Sequence, residues 1–186
     1  MPIVLSALML MSTLDPDPLS RDPRVRGVSV HETRLIAELL ACSDTARALV
    51  AEIEASDLIV YVQFTPEQPA GRGATRLAVA SPVYRYLRIV LGARTHPKDR
   101  PALLAHELQH AVEIGRAPDV RDDEGLRRLY GEIGEDPHAR TAFETTAARE
   151  VAARVQREMG NPKSPIPNPG SQSPSPSPSP IPDPNP

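Results

Sequence analysis

Ala105-His106-Glu107-Leu108-Gln109-His110-Ala111 is the stretch from which the rest of the chain is read. It lies in a segment that should be helical, running from about Arg100 to Ile114. On a helix, positions i and i+4 share one face about one turn apart. His106 and His110 can therefore aim two imidazoles at a single point. Glu107 sits about 100° further round and can lean over whatever those imidazoles hold. A zinc hydrolase needs this arrangement: two neutral nitrogen ligands, and a neighbouring carboxylate that is not itself a ligand. Asp99 is placed to cap the helix, Pro101 suits its first turn, and Gly115 should end it.

A catalytic zinc ion takes three protein ligands and leaves a position for water. The third must come from elsewhere. A last helix is expected from about Arg140 to Met159, stopped by Gly160. At about 100° per residue, Ala147, Ala148, Val151 and Val155 all fall within about 60° of Glu144. Glu144 thus stands in the middle of an apolar stripe, where an unpaired carboxylate is costly and a metal ion would be its partner. Glu150 falls on the polar side, within reach of Arg154. Glu113 is the rival, on the same face as both histidines. His106 and Glu113 lie about 10 Å apart along one axis, which turns them poorly towards one tetrahedral ion. Glu113 suits a different role, orienting an imidazole as a hydrogen-bond acceptor.

Around this centre the chain reads as one α+β domain, residues 28–160, with appendages at both ends. Two helices come first, Val30–Ala41 and Asp44–Ala55, the second capped by Ser43 or Asp44. His31 reads as a surface residue. Leu58–Phe64 is an almost continuous β-rich run and should be a strand. Thr65–Ala74, with two prolines and two glycines, reads as a loop. Thr75–Ala80 and Val83–Leu91 are expected as a hairpin, so that a small, mostly antiparallel three-stranded sheet results. In the third strand Val83, Arg85, Leu87, Ile89 and Leu91 should share one face, with Tyr84, Tyr86, Arg88 and Val90 on the other. A short helix is expected from Asp122 or Asp123 to Ile133, its apolar side formed by Leu126, Leu129, Tyr130 and Ile133.

Hydrophobic residues make up 40% of the 186, but aromatics only 3%, so the core must be aliphatic. The net charge is −3 and no run of Lys or Arg stands out, so neither nucleic acid nor an anionic membrane surface is an expected partner. The single cysteine, Cys42, allows no internal disulfide and no cysteine-rich metal site. Residues 1–27 hold an apolar run at 3–11, too short for a stable membrane span. Its length suits the apolar part of a signal segment, though no basic residue precedes it. Residues 161–186 hold 11 of the 22 prolines, with Ser-Pro repeating at 173–180, and read as a disordered, polyproline-like tail. A passive tail is the simpler reading, a ligand for proline-reading domains the other. Together the two ends lean towards a secreted or periplasmic location.

His106-Glu107-Leu108-Gln109-His110 resembles the signature of the zincin metallopeptidases. With Glu144 as third ligand the layout resembles the gluzincin branch, and the size resembles the small minigluzincins. The likeness rests on three residues and on the order of elements: helix, small sheet, motif helix, glutamate-bearing helix. It implies one zinc ion held by His106, His110 and Glu144, with Glu107 as general base. It also implies a peptide or protein substrate, extended along a strand by backbone pairing. The third strand is expected in that role, with the 65–74 loop overhanging the cleft. No oxyanion stabiliser is fixed by the resemblance; Tyr130 and His138 are the candidates. A metal-dependent hydrolase of a non-peptide amide, and a catalytically silent zinc-binding scaffold whose tail engages partners, are the alternatives.

Overall fold

A computed structural model describes residues 22–135 and 143–160. The apolar run at 3–11 and the Pro/Ser tail lie outside them, as does His138. The described chain is α+β, with five helices and a four-stranded mixed sheet.

The first strand, β1 (Val25–Gly27), follows from no strong sequence signal, being only three residues long. It leads into helix α1 (Val30–Cys42), where Ser29 and Glu32 form a reciprocal capping box. Glu32 is buried, and its other carboxylate oxygen accepts the Phe64 N–H at 2.8 Å. One side chain thus starts the helix and ties it to the sheet. Ser43 caps α2 (Asp44–Glu54), accepting from the Ala46 N–H at 2.9 Å. These two helices form the crossover to β2 (Leu58–Thr65), which lies parallel to β1.

Next come β3 (Gly73–Ala80) and β4 (Arg85–Gly92), antiparallel to each other as expected of a hairpin. The sheet itself differs from expectation. Its order is β1-β2-β4-β3, and β2 pairs with β4 in parallel, so two of the three pairings are parallel. Alternation along a strand shows which face is buried but carries nothing about neighbour direction, which the crossovers decide. The faces themselves follow the sequence. Leu58, Val60 and Val62 of β2 and Arg85, Leu87, Ile89 and Leu91 of β4 are buried on the helix side. Because β4 is internal, it cannot add a peptide strand. The free edge beside the motif helix belongs to β3.

A 3-10 turn at Pro97–Asp99 opens into α3 (Arg100–Arg116). Asp99 occupies the cap position, but its side chain makes no capping bond. Leu104, Ala105, Leu108, Ala111 and Val112 bury α3 in the core. Its far end is held by Arg85, which is fully buried. Arg85 Nη1 donates to the carbonyls of Ile114 (2.9 Å), Ala117 (2.7 Å) and Val120 (3.1 Å), while Nη2 and Nε bind Asp57 at 2.6 and 2.9 Å. An arginine on the core face of a strand is there because helix-end carbonyls lack partners of their own.

Asp122 caps α4 (Asp123–Ile133) through the Gly125 N–H at 2.7 Å. Leu126 and Tyr130 are buried as expected, but Ile133 is exposed. The last helix, α5 (Thr146–Gly160), packs along α3. It differs from the expected helix at its start: residues 143–145 are irregular, and Thr145 Oγ1 accepts the Ala148 N–H. Ala148 and Val155 are buried on its inner stripe. Glu158 at its end accepts from Thr45 Oγ1 at 2.7 Å, fixing α5 to α2. Among the described residues no helix is long and apolar enough to cross a membrane.

Candidate metal centre

The i,i+4 spacing on α3 places the two imidazoles as the sequence requires. His106 Nε2 and His110 Nε2 stand 3.2 Å apart, with the rings edge to face. Glu144 Oε1 lies 3.0 Å from His106 Nε2. One ligand atom from each of the three residues falls within 4.8 Å of the others. Two ligand atoms at about 2.0 Å from a tetrahedral ion are themselves about 3.3 Å apart, so the 3.2 and 3.0 Å spacings are those of a cluster that could hold a metal ion.

Glu144 reaches this point by a route the sequence did not indicate. It is not on a helix stripe but in the irregular residues just before α5. Glu144 therefore does not lie on the apolar helix stripe expected of it, yet it is the carboxylate brought to the histidines. As a side chain Glu144 is half-exposed, yet its Oε1 is buried and has no hydrogen-bond partner among the described residues. A buried carboxylate oxygen without a donor, next to two imidazole nitrogens, is a group that lacks a cation.

Glu113 is not drawn into that cluster. Its Oε2 meets His110 Nδ1 at 2.8 Å, and its Oε1 accepts from Thr145 Oγ1 at 2.8 Å and Gln109 Nε2 at 3.3 Å. A proton on His110 Nδ1 donates to this carboxylate, which turns Nε2 towards the cluster. Through Thr145 it also anchors the residue next to Glu144. The pair is polarised in the charged sense. Burial would lower the His110 pKa, but the Glu113 hydrogen bond and the carboxylates of Glu107, Glu113 and Glu144 raise it overall. Burial likewise works against the Glu113 carboxylate, and His110, Thr145 and Gln109 outweigh it, leaving its pKa lowered. His106 moves the other way: burial and the neighbouring His110 lower its pKa.

Glu107 faces the same cleft and is 3% exposed. Its pKa is raised to about 7, by burial first, with His110 and Thr75 opposing and the Glu144 carboxylate adding to the rise. Thr75 on β3 is 2.8 Å from Glu107 Oε2 and 3.0 Å from the Glu107 carbonyl. Gly73, two residues earlier and so on the same face, leaves room for the carboxyl. A Cβ there would stand 2.8 Å from Glu107 Cδ. Neither Thr75 nor Gly73 was singled out from the sequence, where Gly73 reads as loop. Their only signal is period-2 spacing, which gains meaning once β3 is known to lie beside α3.

These groups line a cleft of about 650 Å³. Gln68, Pro69, Gly71 and Arg72 border it, as expected for the segment between the first two predicted strands. That segment is tied down by Gly71 N–H to Thr95 Oγ1 (2.9 Å) and Gln68 Nε2 to the Gly73 carbonyl (3.1 Å). Tyr130 also reaches the cleft, but its ring stacks on Phe143 and its hydroxyl lies 3.4 Å from the His110 carbonyl. Burial and the Glu113 and Glu107 carboxylates push its pKa up, so it stays a neutral donor. In this position it braces α3. Comparison with protein-family models, curated proteins and solved structures finds no match for the chain.

Proposed function

We propose that the chain is a zinc-dependent metallopeptidase of the zincin kind, gluzincin-like in its ligand set. The observation that carries this reading is the pairing of two features in one cleft. His106, His110 and Glu144 bring their ligand atoms together, and Glu107 is buried beside them with a pKa of about 7 and no ligand role. A scaffold that only stored zinc would have no use for the buried Glu107.

His106 Nε2, His110 Nε2 and Glu144 Oε1 would hold the ion. Bound zinc would supply Lewis acidity for a scissile carbonyl and acidity for a water. The residues of the chain do the rest. Glu113 keeps the His110 imidazole in its ligating tautomer and orientation. Thr75 and the space at Gly73 hold the Glu107 carboxyl against α3. Glu107 takes a proton from the attacking water and returns it to the leaving amine, as a buried carboxylate beside the ligand cluster can. The free edge of β3 gives an extended peptide a row of backbone donors and acceptors along the cleft.

The test is metal analysis together with two variants. Purified wild type should carry one zinc, Glu144→Ala should lose it, and Glu107→Gln should keep zinc while losing hydrolysis of a peptide library. A wild type without zinc, or a Glu107→Gln variant as active as wild type, would overturn the reading.

A further inference from the structure

The sheet has a second face, turned away from α3, and its composition comes from register alone. The pairings place Val25, Val60, Leu87 and Leu77 in one row across the four strands, on the core side. The neighbouring row must point outward. It reads Arg26, Tyr61, Arg88, Arg76. Arg76 and Arg88 stand directly opposite each other on adjacent strands, and both are exposed. Among the described residues neither has a hydrogen bond or an ion pair, while Arg26 donates to the Pro23 carbonyl at 2.7 Å, lies over the Tyr61 ring and has an exposed Asp22 at 3.8 Å. Like charges in a cross-strand pair repel, so this pair asks for an anion from outside.

The next outward row is apolar: Ile59, Tyr86, Val79. Val79 is 57% exposed, and Val83 in the adjoining turn is 65% exposed. Arg121 holds this turn through the Ser81 carbonyl at 2.8 Å. No strand position on this face carries a carboxylate.

We propose that this face docks on an anionic lipid bilayer. Arginines meet the charged headgroups, tyrosines sit at headgroup depth, and Val79 and Val83 enter the acyl boundary. Four strands make a surface about 14 Å wide. A nucleic acid would engage the guanidinium groups and rings, but it offers nothing to the exposed valines. Arg76 lies on the strand that borders the cleft, so docking sets the cleft beside the bilayer. The proposal does not depend on the metal centre.

The full chain is sedimented with vesicles of phosphatidylcholine containing about 30% phosphatidylserine, and with pure phosphatidylcholine, at about 0.1 M salt. Wild type should partition to the anionic vesicles only, and less as salt rises. The Arg76→Glu/Arg88→Glu double variant should partition at least about 20-fold less, from about fivefold per lost cation. Val83→Asp should also weaken partitioning. If thermal unfolding shows that the Glu variant does not fold, Arg76→Gln/Arg88→Gln serves in its place with the same direction. Equal partitioning of variant and wild type, equal binding to neutral vesicles, or no binding to anionic ones overturns the proposal. So does tight binding of a labelled oligothymidylate by a protein that ignores the vesicles, which would make the face a nucleic-acid surface.

Discussion

Glu113→Gln tests the centre at the residue that supports two ligands at once. The substitution keeps shape and volume but changes one oxygen to an NH2 group. In the native protein both oxygens accept: Oε2 from His110 Nδ1, Oε1 from Thr145 Oγ1 and Gln109 Nε2. An amide has one acceptor end. Placed on His110, it turns its NH2 towards the Gln109 amide donor and loses the acceptor that Thr145 needs. Placed the other way, it presents a donor to His110 Nδ1–H and drives that ring towards the wrong tautomer. Either arrangement loosens a ligand, His110 directly or Glu144 through its neighbour Thr145. Removing such a supporting contact costs about 10- to 100-fold in metal affinity, or about 1.4–2.7 kcal/mol. The expected result is a zinc affinity lower by that factor, read by competition with a chromophoric chelator, in a protein that keeps its far-ultraviolet circular dichroism. An affinity within twofold of wild type would refute the reasoning, because Glu113 would then be an ordinary buried acid.

Arg85→Met should strip the end of α3 of its cap and cost about 3–5 kcal/mol, at about 1 kcal/mol or more for each of the three carbonyls left without this donor. For a domain of this size that is a fall in Tm of about 10–15 °C, measured by thermal unfolding. The Arg85–Asp57 pair predicts an acid limb. The Arg85 hydrogen bond holds the Asp57 carboxyl below its usual value, so the associated stability is present above the unfolded pKa of about 4 and is lost as pH falls through the lower folded value. Arg85→Met should flatten that limb in a pH series of unfolding midpoints. Thr75→Val removes the hydroxyl from Glu107 at nearly constant volume. It should lower kcat about tenfold or more, from about 1.5–3 kcal/mol for a hydrogen bond to a charged group. KM should be little changed, and Thr75→Ser should restore the rate. Gly73→Ala should crowd the Glu107 carboxyl and lower kcat while zinc content stays at the wild-type level.

The parts of this molecule that repeat within a few residues were legible in its sequence. The five helices, the hairpin and the pairing of His106 with His110 all depend on periods of 3.6 or 2, and those periods are written locally. Where a side chain caps its own turn the sequence narrows a helix start to two neighbours, Ser43 or Asp44 and Asp122 or Asp123, and the structure uses Ser43 and Asp122. The α5 start was not legible, because Thr145 is drawn to Glu113 on another helix as well as to its own turn. The parallel pairings were not legible either, since strand direction in a sheet is set by crossovers.

The outward Arg26–Tyr61–Arg88–Arg76 row shows the same limit. No basic run exists in the chain, so the charge pattern read along the sequence excluded anionic partners. The arginines become neighbours only when four strands align, about 5 Å apart. Glu144 and Thr75 likewise come to the site from segments far from the motif helix in sequence. By itself the sequence determined which chemistry the chain carries: two imidazoles and a carboxylate fixed on one helix by its own pitch. Only the tertiary structure decided what completes that chemistry, because the third ligand, the brace on His110 and the cradle of Glu107 are contacts between segments far apart along the chain, and a local period holds no information about them.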